Sequence, residues 1–218
     1  LWGPYFPGIL GHPGFEIDRI VSYIYSLDGI FGTPFGVTVT YVFVFVLFGA
    51  VMEATGGGKV LMDLAVSLTG RSRGGTAKIA IIGSSFFGTL NGSPVANVTA
   101  TGAFTIPLMK RTGYQPAFAG AVEAAASTGG QILPPIMGAS VFIMMDIIGT
   151  DYVSIAKAAL IPALLYYVGV FWMVDLEARR TGVQRLSAEE IPRTMDVLRD
   201  GGYLLIPIPI LLYALLVA

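Results

Sequence analysis

The 218-residue chain is 54% hydrophobic and only 12% charged, with a mean hydropathy of +0.73. A soluble domain carries about 25% charged residues, so a water-facing enzyme, a disordered region and a nucleic-acid binder are all disfavoured. The net charge of −1 offers no basic stripe to a polyanion, and with no cysteine and one histidine, His12, thiolate chemistry and a histidine metal cluster are excluded within the chain.

The 28 glycines suit close helix packing and broken helices in a bilayer. Beginning at Leu1 without a leader pattern and stopping at Ala218 inside an apolar run, the chain reads as a fragment of a longer membrane protein. Residues 1–33, rich in Gly, Pro and aromatics, read as a periplasmic loop segment. Residues 34–175 read as one membrane-embedded unit, opened by a span at 35–52. A crossing needs about 20 apolar residues. The apolar stretch inside 59–70 is about half that length and contains Asp63, which predicts an interfacial helix on the cytoplasmic face.

The run from Ile79 to Met109 has no charge, but basic residues flank both ends: Lys59, Arg71, Arg73 and Lys78 before it, Lys110 and Arg111 after it. The positive-inside rule places both flanks in the cytoplasm. A straight helix of that length would reach about 46 Å, too long for a core of about 30 Å, and two full crossings would need about 40 residues. The chain must enter and leave on one side. Its middle reads Asn91-Gly92-Ser93-Pro94, with Gly for backbone freedom, Ser as an N-cap and Pro at the first helical position. A re-entrant hairpin over 78–110 follows, with Thr76 and Thr112 flanking it on the cytoplasmic side.

Residues 116–148 are again too many for one straight span, and Gly129-Gly130 with Pro134-Pro135 interrupt them. A broken span is predicted, with Thr128 and Gly129 closing its first half and Pro135 to Gly138 opening the second. Residues 154–175 form a further span. Residues 176–200 are a charged cytoplasmic linker in which Ser187 and Glu190 are spaced as a capping box opening a short amphipathic helix. Residues 201–218 start the next span, bent by Pro207 and Pro209.

Unsatisfied backbone cannot face lipid, so broken helices line cavities or bury themselves. The carbonyls closing one half-helix suit a cation, and the amides opening the next suit an anion. The two breaks lie at similar depth, and hydroxyls and amides crowd both. Oxygen donors without fixed charge suit a hard cation such as Na⁺. The expected Na⁺ ligands are Asn91, Gly92, Ser93, Asn97, Thr128, Gly129, Gly130 and Pro134. Ser93, Pro94, Val95, Asn97 and Gln131 are the expected contacts for an anionic substrate. One such kink would most simply serve packing; two at one depth favour a site. Glu123 is the one acid well inside a span, and either a functional or a packed, hydrogen-bonding role fits it. Tyr166 and Tyr167 read most simply as lipid or interface contacts.

The stretches Gly88-Thr89-Leu90-Asn91-Gly92-Ser93-Pro94-Val95-Ala96-Asn97-Val98, Gly102 to Arg111 and Glu123 to Gly138 resemble the large membrane subunit of TRAP transporters, most closely the fused permeases of the TAXI type. The resemblance covers Gly29 to Gly182; serine is commoner in that family where Asn91 and Pro94 stand. It implies an all-α polytopic membrane protein, here the first half of an elevator-type transporter with a re-entrant hairpin and a broken transmembrane helix. It implies a sodium-driven importer of organic acids in the bacterial or archaeal inner membrane, with Na⁺ as coupling ion and no organic cofactor. The implied partners are a periplasmic substrate-binding protein, a small membrane subunit, separate or fused, and an inverted second half beyond Ala218. Other elevator-type divalent-anion/sodium symporters remain open, as does a channel with a re-entrant loop, although no charged ring or repeated filter is present. An enzyme is not expected, since no nucleophile–base pair or metal-ligand set stands out.

Overall fold

The computed structural model describes residues 5–11 and 13–217; His12 lies outside the described residues. The chain order is α1 (Ile17–Ile24), α2 (Thr33–Val37), a π-helical turn (Thr38–Val42), α3 (Phe43–Ala54), α4 (Gly57–Thr69), α5 (Gly75–Asn91), α6 (Pro94–Arg111), α7 (Pro116–Gly129), α8 (Ser140–Ile148), α9 (Tyr152–Thr181), α10 (Thr194–Gly201) and α11 (Pro207–Val217). Among the described residues there is no strand. Two stretches, Phe35–Ala54 and Tyr152–Thr181, are long and apolar enough to cross a membrane. A third qualifies only if α11 is joined to the segment before it, from which it bends by 48°. The architecture is therefore an all-α polytopic membrane fold.

Local chemistry sets the helix ends. Gly92 takes φ +58° and caps α5, its N–H reaching the carbonyl of Gly88 at 3.0 Å. Ser93 is extended, its Oγ accepts from the Ala96 N–H at 3.4 Å, and Pro94 occupies the first position of α6. The chain thus reverses within two residues, and α5 and α6 pack against each other. Lys110 and Arg111 close α6, where cations complement the helix dipole. Asp151 caps α9, its carboxylate accepting from the Ser154 N–H at 2.9 Å, and Gly182 ends that helix at φ +65°.

Helix α5 is the axis of the molecule. One side joins α6, α7 and α9 through Ala77, Ala80, Ile81, Met109, Val122, Ala126 and Val174. Its other side meets α3 and α4 through Met52, Leu61, Met62, Ala65, Ile79 and Phe87. Small residues on α5 let these neighbours approach closely.

Helix α4 carries the segment read as interfacial and packs on two neighbours. Gly57, Gly58, Val60, Leu61, Met62, Ala65 and Val66 are buried, so one face packs on α5 while α10 lies against another part of it. A β-carbon on Gly201 of α10 would run into Val60, and Thr194 donates to Ser67 at 3.2 Å. The linker differs in detail. The Ser187–Glu190 capping box is present but caps only the single 3₁₀ turn Ala188–Glu190 ahead of Pro192; the amphipathic helix is α10. The Ser187 hydroxyl and N–H, followed by Arg111 at 2.5 Å, hold the Glu190 carboxyl below the usual glutamate range.

Two interhelical ties have no signature in the sequence. Lys78 of α5 is buried and reaches Asp175 of α9 at 2.7 Å, with its ammonium 4.7 Å from the centre of the Phe171 ring. Thr76 and Thr112, expected as surface markers beside the hairpin, are both buried and bond to each other at 2.8 Å.

Candidate functional site

The tip of the α5–α6 hairpin rests on the irregular segment between α7 and α8. A β-carbon on Gly92 would overlap the carbonyl oxygen of Met137, and one on Gly130 would come within 2.6 Å of the Gly88 α-carbon. Main chain meets main chain at both points, which only glycine allows. Across the break, Met137 holds a left-handed φ of +61° and Pro134–Pro135 is cis. The Gly138 N–H bonds back to the Gln131 carbonyl at 2.8 Å, closing the break into a compact loop. Ile136 and Met137 are buried beneath it.

The expected ligands divide into two groups. Asn91, Gly92 and Ser93 stand together at the tip, where the Asn91 side-chain oxygen accepts from the Ser93 N–H at 3.1 Å. Pro94 begins α6 beside them, and Val95 is exposed. Gly130 lies at the Gly88 contact, Gln131 packs on Gly138, and Pro134 is half-buried in the loop. The remaining residues are turned elsewhere. Thr128 is exposed and its hydroxyl donates to the Ala124 carbonyl of its own helix at 2.8 Å. Asn97 is fully buried inside the hairpin and donates to the Ser84 carbonyl at 2.7 Å, joining the two arms. Gly129 is covered by the rings of Tyr166 and Tyr167.

Those tyrosines are not lipid contacts alone. Their hydroxyls donate to the carbonyls of Ala125 and Ala126, at 2.8 and 3.0 Å. The Ala126 carbonyl is one of the last four of α7, which lack intrahelical partners, so Tyr167 helps to satisfy that helix end. The Thr128 and Gly129 carbonyls accept the Gln131 and Ile132 N–H groups at 3.2 Å each. The second half-helix begins at Ser140, so Pro135 to Gly138 are loop rather than a helix start. The Pro134–Pro135 pair and the left-handed Met137 keep that stretch out of helical conformation.

A cavity of about 260 Å³ opens beside the tip. It is lined by Asn91, Ser93 and Ala96 of the hairpin and by Gly49, Met52 and Glu53 of α3. Glu53 stands at the end of the first span, and no local pattern indicates that α3 brings it to this cavity. A larger, mostly apolar cavity of about 560 Å³ lies between α5 and α9; Leu133 of the break lines it, but no residue of the hairpin tip does.

Glu123 resolves toward hydrogen bonding. It is fully buried, and its Oε1 accepts from Ser84 at 2.9 Å, from Ser127 at 3.4 Å and from Thr101, while Oε2 contacts Thr105. Gly102 leaves room for it; a β-carbon there would lie 3.2 Å from the Glu123 side chain. One carboxyl therefore joins both hairpin arms to α7.

Residues 25–218 match the family described as Tripartite ATP-independent periplasmic transporter, DctM component. The chain belongs to this family. Among its relatives, the uncharacterized protein YgiK of Salmonella typhimurium is 30% identical over 168 residues, covering 76% of this chain and 38% of YgiK. The C4-dicarboxylate TRAP transporter large permease protein DctM of Pseudomonas aeruginosa is 33% identical over 147 residues, or 66% of this chain and 33% of that protein. The isethionate TRAP transporter permease protein DctMQ of Oleidesulfovibrio alaskensis is 38% identical over 91 residues, 42% of this chain and 14% of the relative. The chain thus spans well under half the length of the DctM-family relatives it matches.

Proposed function

We propose that this chain is part of the permease of a sodium-coupled, binding-protein-dependent secondary transporter that imports organic acids across the bacterial or archaeal inner membrane. The observation that carries the reading is the seam between the hairpin tip and the broken helix. Two interruptions of helical structure meet there through bare main chain, the arrangement that supplies ion and carboxylate contacts at the midplane of secondary transporters. The names of relatives, a C4-dicarboxylate permease and an isethionate permease, support a small organic anion as solute. The tripartite family and the DctMQ relative support a periplasmic binding protein and a small membrane subunit as partners. An inverted second half would close the site from the opposite side, and the hairpin would move with its cargo as an elevator.

Asn91, Gly92 and Ser93 with the facing Gly130–Met137 loop are the proposed Na⁺ contacts, and the α6 N-terminus is the proposed carboxylate contact. Uptake by the full-length protein with its binding protein in proteoliposomes tests this. Ser93→Ala should raise the Na⁺ concentration needed for half-maximal uptake several-fold. Thr128→Ala, whose hydroxyl serves its own helix, should leave it unchanged. Uptake that is indifferent to Na⁺ in the unaltered protein sinks the sodium reading.

A further inference from the structure

The cavity of about 260 Å³ beside the hairpin tip is lined by one acid, Glu53, together with Leu90, Asn91 and Ser93. Gly49 of α3 sits against Leu90 and Asn91 of the tip, and Gly58 at the start of α4 sits against Phe87, one turn before it. Glu53 lies between these two contacts along the chain. It therefore stands near the level of the tip, within the membrane-crossing stretch Phe35–Ala54. An acid inside a span is costly and marks a partner or an ion path. Among the described residues, none forms an ion pair or a side-chain hydrogen bond with Glu53. Lys59, the nearest cation along the chain, lines a different cavity with Asp63, Asp196 and Asp200. At the start of α6, Pro94 has no N–H, and those of Ala96 and Asn97 go to Ser93. Glu53 itself is exposed, which leaves its carboxylate open to an ion.

A second oxygen at this wall also lacks a donor. In a continuing helix the Leu90 carbonyl would accept from the N–H four residues on, but that residue is Pro94. The Ser93 N–H goes instead to the Asn91 side-chain oxygen at 3.1 Å. The Leu90 oxygen thus ends α5 unpaired among the described residues, and a β-carbon on Gly49 would lie 3.5 Å from it. A carboxylate, a free carbonyl, an amide oxygen and a hydroxyl are the donors that a hard cation takes. One fixed negative charge among neutral oxygens matches a monovalent ion. A water molecule occupies about 30 Å³ of liquid, so the cavity has room for an ion that keeps part of its water shell.

We propose that this cavity is a further sodium position whose charged ligand is Glu53, with the Leu90 carbonyl and the side chains of Asn91 and Ser93 as its neutral oxygens. It rests on the reading of the tip as an ion site, from which it takes Asn91 and Ser93. No residue of the loop between α7 and α8 lines the cavity, so this ion lies on the α3 face of the tip and adds to the one held at the seam. An ion there joins α3 to the hairpin through a ligand that carries charge, which none of the seam contacts does.

Equilibrium dialysis of the purified full-length protein against radioactive sodium, without solute or binding protein, tests the proposal. At saturation Glu53→Gln should bind one Na⁺ fewer per molecule than the unaltered protein. Glu53→Asp, which keeps the charge on a shorter arm, should bind the full number but need several-fold more Na⁺ for half-saturation. Equal numbers bound by the unaltered protein and by Glu53→Gln overturn this position and leave the seam reading standing. No Na⁺ bound by the unaltered protein overturns both. If Glu53→Gln does not fold, Glu53→Asp decides, and an unchanged half-saturation in that variant overturns the proposal.

Discussion

Three glycines separate the contributions to the seam between the hairpin and the broken helix. Gly182 has φ +65°, and a β-carbon added there would meet nothing within 4 Å, so Gly182→Ala tests only the left-handed backbone. That costs about 1–2 kcal/mol. Gly88 is helical, so Gly88→Ala incurs no backbone strain and tests only its contact with Gly130. Overpacking of this kind costs about 1–3 kcal/mol. Gly92 combines φ +58° with the collision against the Met137 carbonyl, an atom of the backbone that has no rotamer by which to move. Gly92→Ala should therefore cost roughly 2–5 kcal/mol, the two effects together. The full-length variants would be heated in detergent and the monodisperse fraction followed by size-exclusion chromatography. The order of loss should be Gly92→Ala first, then Gly88→Ala, then Gly182→Ala. If Gly92→Ala is no worse than Gly182→Ala, or Gly88→Ala matches the unaltered protein, the seam does not form and the proposed site loses its basis.

The Lys78–Asp175 pair should respond unequally to its two halves. Asp175→Asn leaves the buried ammonium of Lys78 with the Phe171 ring alone, whereas Lys78→Met leaves Asp175 with Arg179 at 2.9 Å, so the first should lower the melting temperature more than the second; equal losses would refute this. For topology, cysteines at the exposed positions Arg73 and Gln115 should both react with a membrane-impermeant thiol reagent from the cytoplasmic side. Labelling of either from the other side would remove the re-entrant hairpin.

The turns were legible in the sequence because their chemistry is local. Gly92, Ser93 and Pro94 each carry a backbone requirement readable from residue type, and they end and begin helices where those requirements place them. The break after Gly129 was legible for the same reason, but its far end was not: Pro135 marks the end of helical propensity, while the start of α8 at Ser140 depends on how the loop seats Ile136 and Met137. Side-chain direction was the larger gap. Asn97 and Thr128 looked alike as polar residues beside a break, yet helix phase turns one into the hairpin and the other to the surface. The Glu123 cluster needs the relative heights of three helices to bring residues 84, 101, 105 and 123 together, and no spacing within one helix encodes that. Similarly, α4 is short and carries an acid, but its burial comes from α5 and from α10, more than a hundred residues away.

A π-helical turn inserts one extra residue into an α-helical run, which at 3.6 residues per turn rotates everything beyond it by about 100°. The turn at Thr38–Val42 does this within the first span. Helix α2, before it, lies against α8, and α3, after it, lies against α4 and α5. Tyr41 in the turn and Phe45 just beyond both stack on Phe142 of α8, at 4.9 and 5.5 Å between ring centres. A helix of uniform pitch would present one continuous stripe and could grip one neighbour along its length. This one works as a splice plate, fastened by one end to the outer limb of the broken helix and by the other to the hairpin, bridging the interruption between α7 and α8 from outside.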